Sequence, residues 1–239
     1  MNRQPRALLS VLLIGVIAFV AWRWWSGARP EAEGGTEIVL SESSTRGGTL
    51  TSSLRSEPRT FNRLIASDVP IELFSTFTGS KLVRVNRATQ DVEPSIAESW
   101  TVSDDNKTWT LKLREGVTWS DGTPFTAADV LFSFQAIYDP KVGSPIASSL
   151  MIAGRPMAVA SPDPRTIVIT LPATAGPGIA LLDNVQLVAK HKYEGALKAG
   201  TFAKEMGVAA PPSEFATLGP FVLKSYVPGQ RMIFDRKPR

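Results

Sequence analysis

The sequence predicts a mixed α/β protein, and three observations carry that expectation. Two β-prone runs, 98–102 and 108–114, flank the polar cluster Ser103-Asp104-Asp105-Asn106-Lys107, the pattern of a hairpin. From Thr126 onward the apolar period lengthens from two to that of a helix. A last pair of runs, 221–226 and 231–235, encloses Pro228-Gly229, the residues that a type II turn wants at its centre.

Residues 7–22, ALLSVLLIGVIAFVAW, are almost unbrokenly apolar and follow Arg3 and Arg6. As a helix they would span about 24 Å at about 1.5 Å per residue, between a signal-peptide core and a full bilayer span. Ser26-Gly27-Ala28 suits signal peptidase, whereas Trp22-Arg23-Trp24-Trp25 suits an interfacial anchor. Residues 1–28 are thus a signal peptide or an N-terminal membrane anchor. Either way the basic end stays inside, and the bulk of the chain is expected outside the cytoplasm. Residues 29–46, rich in Gly, Ser, Thr and Glu, read as a linker.

Residues 48–54 are expected to form the first strand and 55–58 its outgoing turn. Residues 71–78 are apolar enough for a buried helix, and 81–86 read as a short strand. In the 108–114 strand, Trp109, Leu111 and Leu113 share one face while Thr110, Lys112 and Arg114 share the other, the alternation of a half-buried strand. Val117 and Trp119 continue the apolar set up to the turn Ser120-Asp121-Gly122-Thr123. Thr126 as N-cap with Asp129 three residues on makes an acidic capping box. Val130, Leu131, Phe134, Ile137 and Tyr138 then mark a helical face that Asp139-Pro140 ends. Residues 141–156 look irregular. A hairpin is expected from 157–160 and 166–171 across 161–165, then a short helix and a buried run within 178–188, and a mobile loop at 201–212.

Composition narrows the functions. With 43% hydrophobic and 20% charged residues in 239, the chain is an ordinary globular one with room for one or two domains. The formal charge of +4 falls to +1 once residues 1–28 are set aside, leaving 23 basic against 22 acidic residues, so nothing supports binding to nucleic acid. Absence of Cys excludes disulfides, thiolate catalysis and a lipid-bearing cysteine. His191, the only histidine, sits in Lys190-His191-Lys192 without a Gly-x-Ser-x-Gly elbow in the chain, and reads as a solvated surface residue. Asp104, Asn106, Thr108 and Glu115 imitate a calcium loop, but Trp109 occupies the position that needs Gly. Asp121 and Asp129 are explained by a turn and a helix start. No metal site, cofactor or enzymatic activity is expected.

The ordered series from Glu93 to Ser133 resembles the extracellular solute-binding proteins of peptide and nickel ABC importers, family 5. It runs through Glu93-Pro94, Ala97-Glu98-Ser99-Trp100, Leu111-Lys112-Leu113-Arg114-Glu115-Gly116-Val117, Asp121-Gly122-Thr123-Pro124-Phe125-Thr126-Ala127-Ala128-Asp129-Val130 and Phe132-Ser133. Gly47-Gly48-Thr49-Leu50, Ser56-Glu57-Pro58-Arg59-Thr60-Phe61-Asn62 and Gly219-Pro220-Phe221-Val222-Leu223-Lys224 extend the likeness over about residues 46–239. The resemblance implies a periplasmic-binding-protein-like lobe with an inserted β-rich subdomain. Its core would be 47–83 and 189–239, and its insertion 84–188. It also implies capture of short peptides, or a similar small solute, for an ABC permease, with no covalent chemistry.

The chain is roughly half the length usual for that family, so the second lobe is expected to be missing: a fragment, or one half of a split protein with a separately encoded second lobe. The alternative is a membrane-tethered protein-interaction module derived from a truncated binding lobe. In the family, the loop after the first strand approaches the ligand. Glu57, Pro58, Phe61 and Asn62 are therefore the candidate ligand-binding residues, with Pro58 holding Glu57 extended and Phe61 and Asn62 offering an apolar contact and an amide.

Overall fold

A computed structural model describes residues 47–237. Ser52–Arg239 forms one compact unit, whereas the preceding unit, Met1–Thr51, falls almost wholly outside the described residues. The signal or anchor at 1–28 and the linker at 29–46 therefore lie outside them too. No helix among the described residues is long and apolar enough to cross a membrane.

The expected first strand is absent. Residues 48–54 have no regular structure, and Leu50 is 92% exposed. Strand propensity is not enough here: a strand forms only where a neighbour takes its N–H and C=O groups, and none among the described residues does so.

Helix α1, Val69–Thr78, starts where Asp68 accepts the Ile71 N–H at 3.2 Å, with Pro70 in its first turn, and it buries Ile71, Phe74 and Thr78. Its end fits against Gly219, whose N–H donates to Thr78 O at 2.8 Å. A Cβ on Gly219 would come within 2.5 Å of the Thr78 carbonyl carbon, so only glycine allows this approach. Strands β1 (Val83–Val85) and β2 (Val92–Pro94) then form a small antiparallel hairpin.

Strands β3 (Ala97–Val102) and β4 (Thr108–Leu113) form the expected hairpin, with Asp105 accepting from Ser103 Oγ and Lys107 N inside its turn. Helix α2, Ala127–Tyr138, follows, with the Asp129 carboxylate accepting the Thr126 N–H at 2.9 Å. The stretch expected to be irregular contains a minimal hairpin, β5 (Met151–Ile152) with β6 (Arg155–Pro156). Strands β7 (Ala158–Asp163) and β8 (Thr166–Thr170) complete a four-stranded antiparallel sheet in the order β3-β4-β8-β7. Strand β7 runs through Ser161-Pro162-Asp163, part of the turn expected there. Pro162 is tolerated because β7 is an edge strand and loses register between Ala160 and Asp163.

The alternation read from the sequence holds. Trp109, Leu111 and Leu113 are buried, and Trp109 and Leu111 lie opposite Ile169 and Ile167 of β8. With Val130, Phe134 and Ile137 of α2 they build the larger of two apolar clusters, which draws residues from Leu64 to Leu218.

A helix not expected from the sequence, α3, spans Lys190–Ala199. Its apolar face shows in sequence only as Tyr193 and Leu197, too little to stand out beside Lys190, His191, Lys192 and Glu194. Tertiary contacts define its start. Asp129 Oδ1 accepts the Lys190 N–H at 3.0 Å and Ser133 Oγ accepts the Val188 N–H at 3.0 Å, so α2 fixes the entry to α3. The loop expected at 201–212 is also held in place. Phe202 is buried, and residues 206 and 207 pair with 60 and 61 through the Phe61 N–H to Met206 O bond of 2.7 Å.

Strands β9 (Phe221–Val227) and β10 (Arg231–Arg236) close the chain around Gly229, at φ 72°, with Gln230 N–H donating to Val227 O at 3.0 Å. They cover the smaller cluster of Phe61, Ile71, Phe74, Phe215 and Leu223.

Candidate functional site

The residues expected to meet a ligand serve two structural tasks. Phe61, 2% exposed, lies 4.7 Å from the Phe74 ring and meets Phe215 and Tyr226 edge-on at 5.5 and 5.3 Å. Asn62 is fully buried. Its Nδ2 donates to Phe202 O and its Oδ1 accepts the Leu64 N–H, both at 3.1 Å, so its amide is engaged within the chain. Pro58 is buried. Glu57 is exposed, and its carboxylate accepts the Gly229 N–H and lies beside Tyr226. Burial first, and then the Glu57 carboxylate, push the Tyr226 phenol up. The four residues thus share one loop without converging on one surface.

A larger concavity than the space at Phe61 lies elsewhere. A groove of about 700 Å³ runs between α1, the β1–β2 hairpin and the end of the 3-10 turn Gly178–Asn184 with Gln186 just beyond it. Its walls are charged and paired: Arg63 with Glu72, Lys81 with Asp183 at 2.9 Å, and Arg84 with Glu93 across the hairpin. Asp183 also accepts the Val85 N–H at 3.2 Å, which ties β1 to the segment opposite. Hydrogen bonds from Asn86 and then Arg84 hold the Glu93 carboxyl below its usual range. Arg87 lines the same groove with no acidic partner among the described residues. Four cations against three carboxylates leave the lining slightly positive.

Arg63, Ser75, Gly79 and Gln186 line both the groove and a small inner chamber of about 40 Å³. Phe61, Trp119, Tyr193 and Thr217 belong to that chamber. Of the four expected ligand residues, Phe61 alone reaches either space. The groove residues went unnoticed in the sequence because they come from four separate segments. Their one local trace is the opposite charge of Arg84 and Glu93, directly paired in the hairpin register.

His191 is not simply solvated, as its sequence context had suggested. Its Nε2 lies 2.8 Å from Asp121 Oδ2, and its ring meets Trp119 at 6.2 Å. Burial alone would raise the Asp121 carboxyl, but the His191 and Thr123 hydrogen bonds outweigh it and lower the pKa to about 2. This pair ties the turn after Trp119 to the first turn of α3. Lys192 Nζ lies 3.8 Å from the same Asp121 oxygen, and no cluster of metal-ligating side chains occurs among the described residues.

The described residues thus form a mixed α/β lobe with a polar groove on one side. The family model of bacterial extracellular solute-binding proteins, family 5 (middle part), matches residues 91–239, and the chain belongs to that family. It is 30% identical over 196 residues to a probable ABC transporter-binding protein of Deinococcus radiodurans, a match covering 80% of this chain and 33% of that one. It is 33% identical over 162 residues to the periplasmic oligopeptide-binding protein OppA of Salmonella typhimurium, covering 61% and 28%. Among solved structures it resembles the ABC transporter substrate-binding protein CtaP of Listeria monocytogenes, with TM-score 0.63, 28% identity, and 77% and 35% covered. The Haemophilus influenzae OppA complex with the peptide RPPGFSPFR, at TM-score 0.65 and 23% identity, shares the fold. The chain spans about a third of the length of these relatives.

Proposed function

We propose that the chain is the first-lobe part of an extracytoplasmic solute-binding component of an ABC importer, which captures short peptides or a similar small solute for a permease. The observation that carries this reading is the groove, whose volume of about 700 Å³ falls within the range of ligand sites, about 300–1,000 Å³. Its paired charges present hydrogen-bonding groups while leaving little net charge to dictate a ligand side chain, which suits an extended backbone. Membership of family 5 and the peptide-binding names of several relatives support the same reading. Residues 47–83 and 189–239 would form the lobe core, 84–188 its inserted subdomain, and a second lobe, on the same or a separate chain, the facing wall. The loop carrying Glu57, Pro58, Phe61 and Asn62 lies apart from the groove and would meet only a part of the solute that extends beyond it. Glu57 and the exposed backbone would face the solute, and Phe61 and Asn62 would hold the loop in shape.

The test is a titration with a library of short peptides, followed by backbone amide shifts. Shifts at residues 81–95 and 183–186, abolished by Arg84→Ala with Asp183→Ala, are expected. Saturating peptide that leaves these amides unmoved would overturn the reading. For location, protease added to spheroplasts should digest residues 29–239, and full protection would contradict export.

A further inference from the structure

Among the described residues, four buried side-chain polar atoms have no protein partner: Ser75 Oγ, Trp119 Nε1, Tyr193 OH and Thr217 Oγ1. All four residues line the same inner chamber of about 40 Å³. Buried polar atoms are almost always hydrogen-bonded, so four unpartnered ones around one small space identify what that space holds. We propose that the chamber is a binding site for resident water, about three molecules by its volume, which joins α1, α3, the Trp119 turn and the Thr217 segment.

The chemistry of the lining selects water. The Trp119 indole can only donate, so the occupant must accept; the three hydroxyls each donate once and accept twice, so an occupant that also donates can use their lone pairs as well. A small neutral molecule that does both meets every atom. An ion does not, because no carboxylate lines the chamber, and the one cation, Arg63, is already bound to Ala66 O and Glu72. Phe61, Phe74, Leu187, Val188, Met206 and Leu218 make most of the lining apolar, and a wholly apolar space would stay dry; the four unpartnered atoms are the polar points that would hold water in this one. Burial, reinforced by the Glu205 carboxylate, pushes the Tyr193 phenol up against the opposing pull of the nearby Ala216 N–H, so it remains a neutral hydroxyl.

The elements around the chamber are only partly joined by direct bonds. Ser120 N–H donates to Thr217 O at 2.8 Å and Thr217 N–H to Ser120 Oγ at 3.0 Å, which fixes the Trp119 turn to the Thr217 segment. The Ser75 and Tyr193 hydroxyls do not bond to that pair directly, although the Gly219 N–H to Thr78 O bond and the His191–Asp121 pair already join α1 and α3 to its two sides. The water would therefore add a bridging layer behind the groove, next to Gly79 and Gln186. This role is independent of what the groove binds.

The experiment is a crystal structure of the protein at a resolution that shows ordered solvent, with a second crystal pressurised with xenon. About three solvent peaks within about 2.7–3.2 Å of the four atoms are expected, with no xenon in the chamber. Xenon in a chamber without solvent peaks would overturn the proposal, and so would Tyr193 OH turned onto the Ala216 N–H with the space closed. In solution, the long-lived waters counted by oxygen-17 relaxation should fall by at least one in Thr217→Val or Ser75→Ala with the fold intact. An unchanged count in both variants would also sink the idea.

Discussion

The four-stranded sheet with α2 and the aromatic cluster around Phe61 both bury apolar surface, but they are assembled in opposite ways. In the sheet, β3 pairs with β4 and β7 with β8 across short turns, and α2 closes over strands that lie near it in sequence. Around Phe61, residues 57–62 meet 202–207, 215 and 226–229, more than a hundred positions away. The larger cluster draws on more than thirty buried side chains, whereas the smaller has five with a partly buried rim. A large core distributes the loss of one contact. A small one held by distant segments depends on each ring and on each buried amide.

The largest expected effect is in the sheet. Trp109→Ala should cost about 3–5 kcal/mol, the transfer and cavity terms of a buried aromatic, measured by denaturant unfolding. Thr110→Ala on the opposite face should cost under about 0.5 kcal/mol, and equal small losses would mean that the facing is misassigned. Phe61→Ala should cost about 3 kcal/mol. Its hydrogen-exchange signature should differ, with protection lost at 202–207 and 221–236 while β4 and β8 keep theirs. A uniform loss across the molecule would erase the distinction between the two regions.

Asn62→Ala should cost about 1–3 kcal/mol, because it leaves Phe202 O and the Leu64 N–H buried without their partner. Asn62→Asp should cost more than Asn62→Ala at neutral pH, because it sets a buried carboxylate against Phe202 O, and a smaller loss than Ala would show that this side chain is not buried as described. The smallest effect is at the His191–Asp121 pair. The Asp121 carboxyl is lowered from 3.8 to about 2 in the folded state, so its contribution is present above about pH 4 and lost as pH falls through about 2. His191→Ala should move the Asp121 midpoint up toward 3.8 in a carboxyl NMR titration, and the stability lost with it should show above about pH 4 and vanish as pH falls through about 2. A midpoint that stays near 2 would assign the lowering to the Thr123 bonds alone.

The amino-acid sequence by itself determined the elements whose cause is local. The Ser103–Lys107 turn, the Thr126–Asp129 box, the Asp139 stop and the Gly229 turn each follow from hydrogen bonds or φ values within a few residues. The facing of Trp109, Leu111 and Leu113 followed from period alone. Only the tertiary structure decided the rest. It gave 48–54 no partner strand among the described residues, started α3 from Asp129 and Ser133 at 61 and 55 positions' separation, and turned Asn62 inward to Phe202. It also paired His191 with Asp121, and brought four separate segments together as one groove. The physical reason is the range of the forces involved. Period and capping act within one turn of chain, whereas a side chain's burial and partner depend on which distant segment the folded core sets against it.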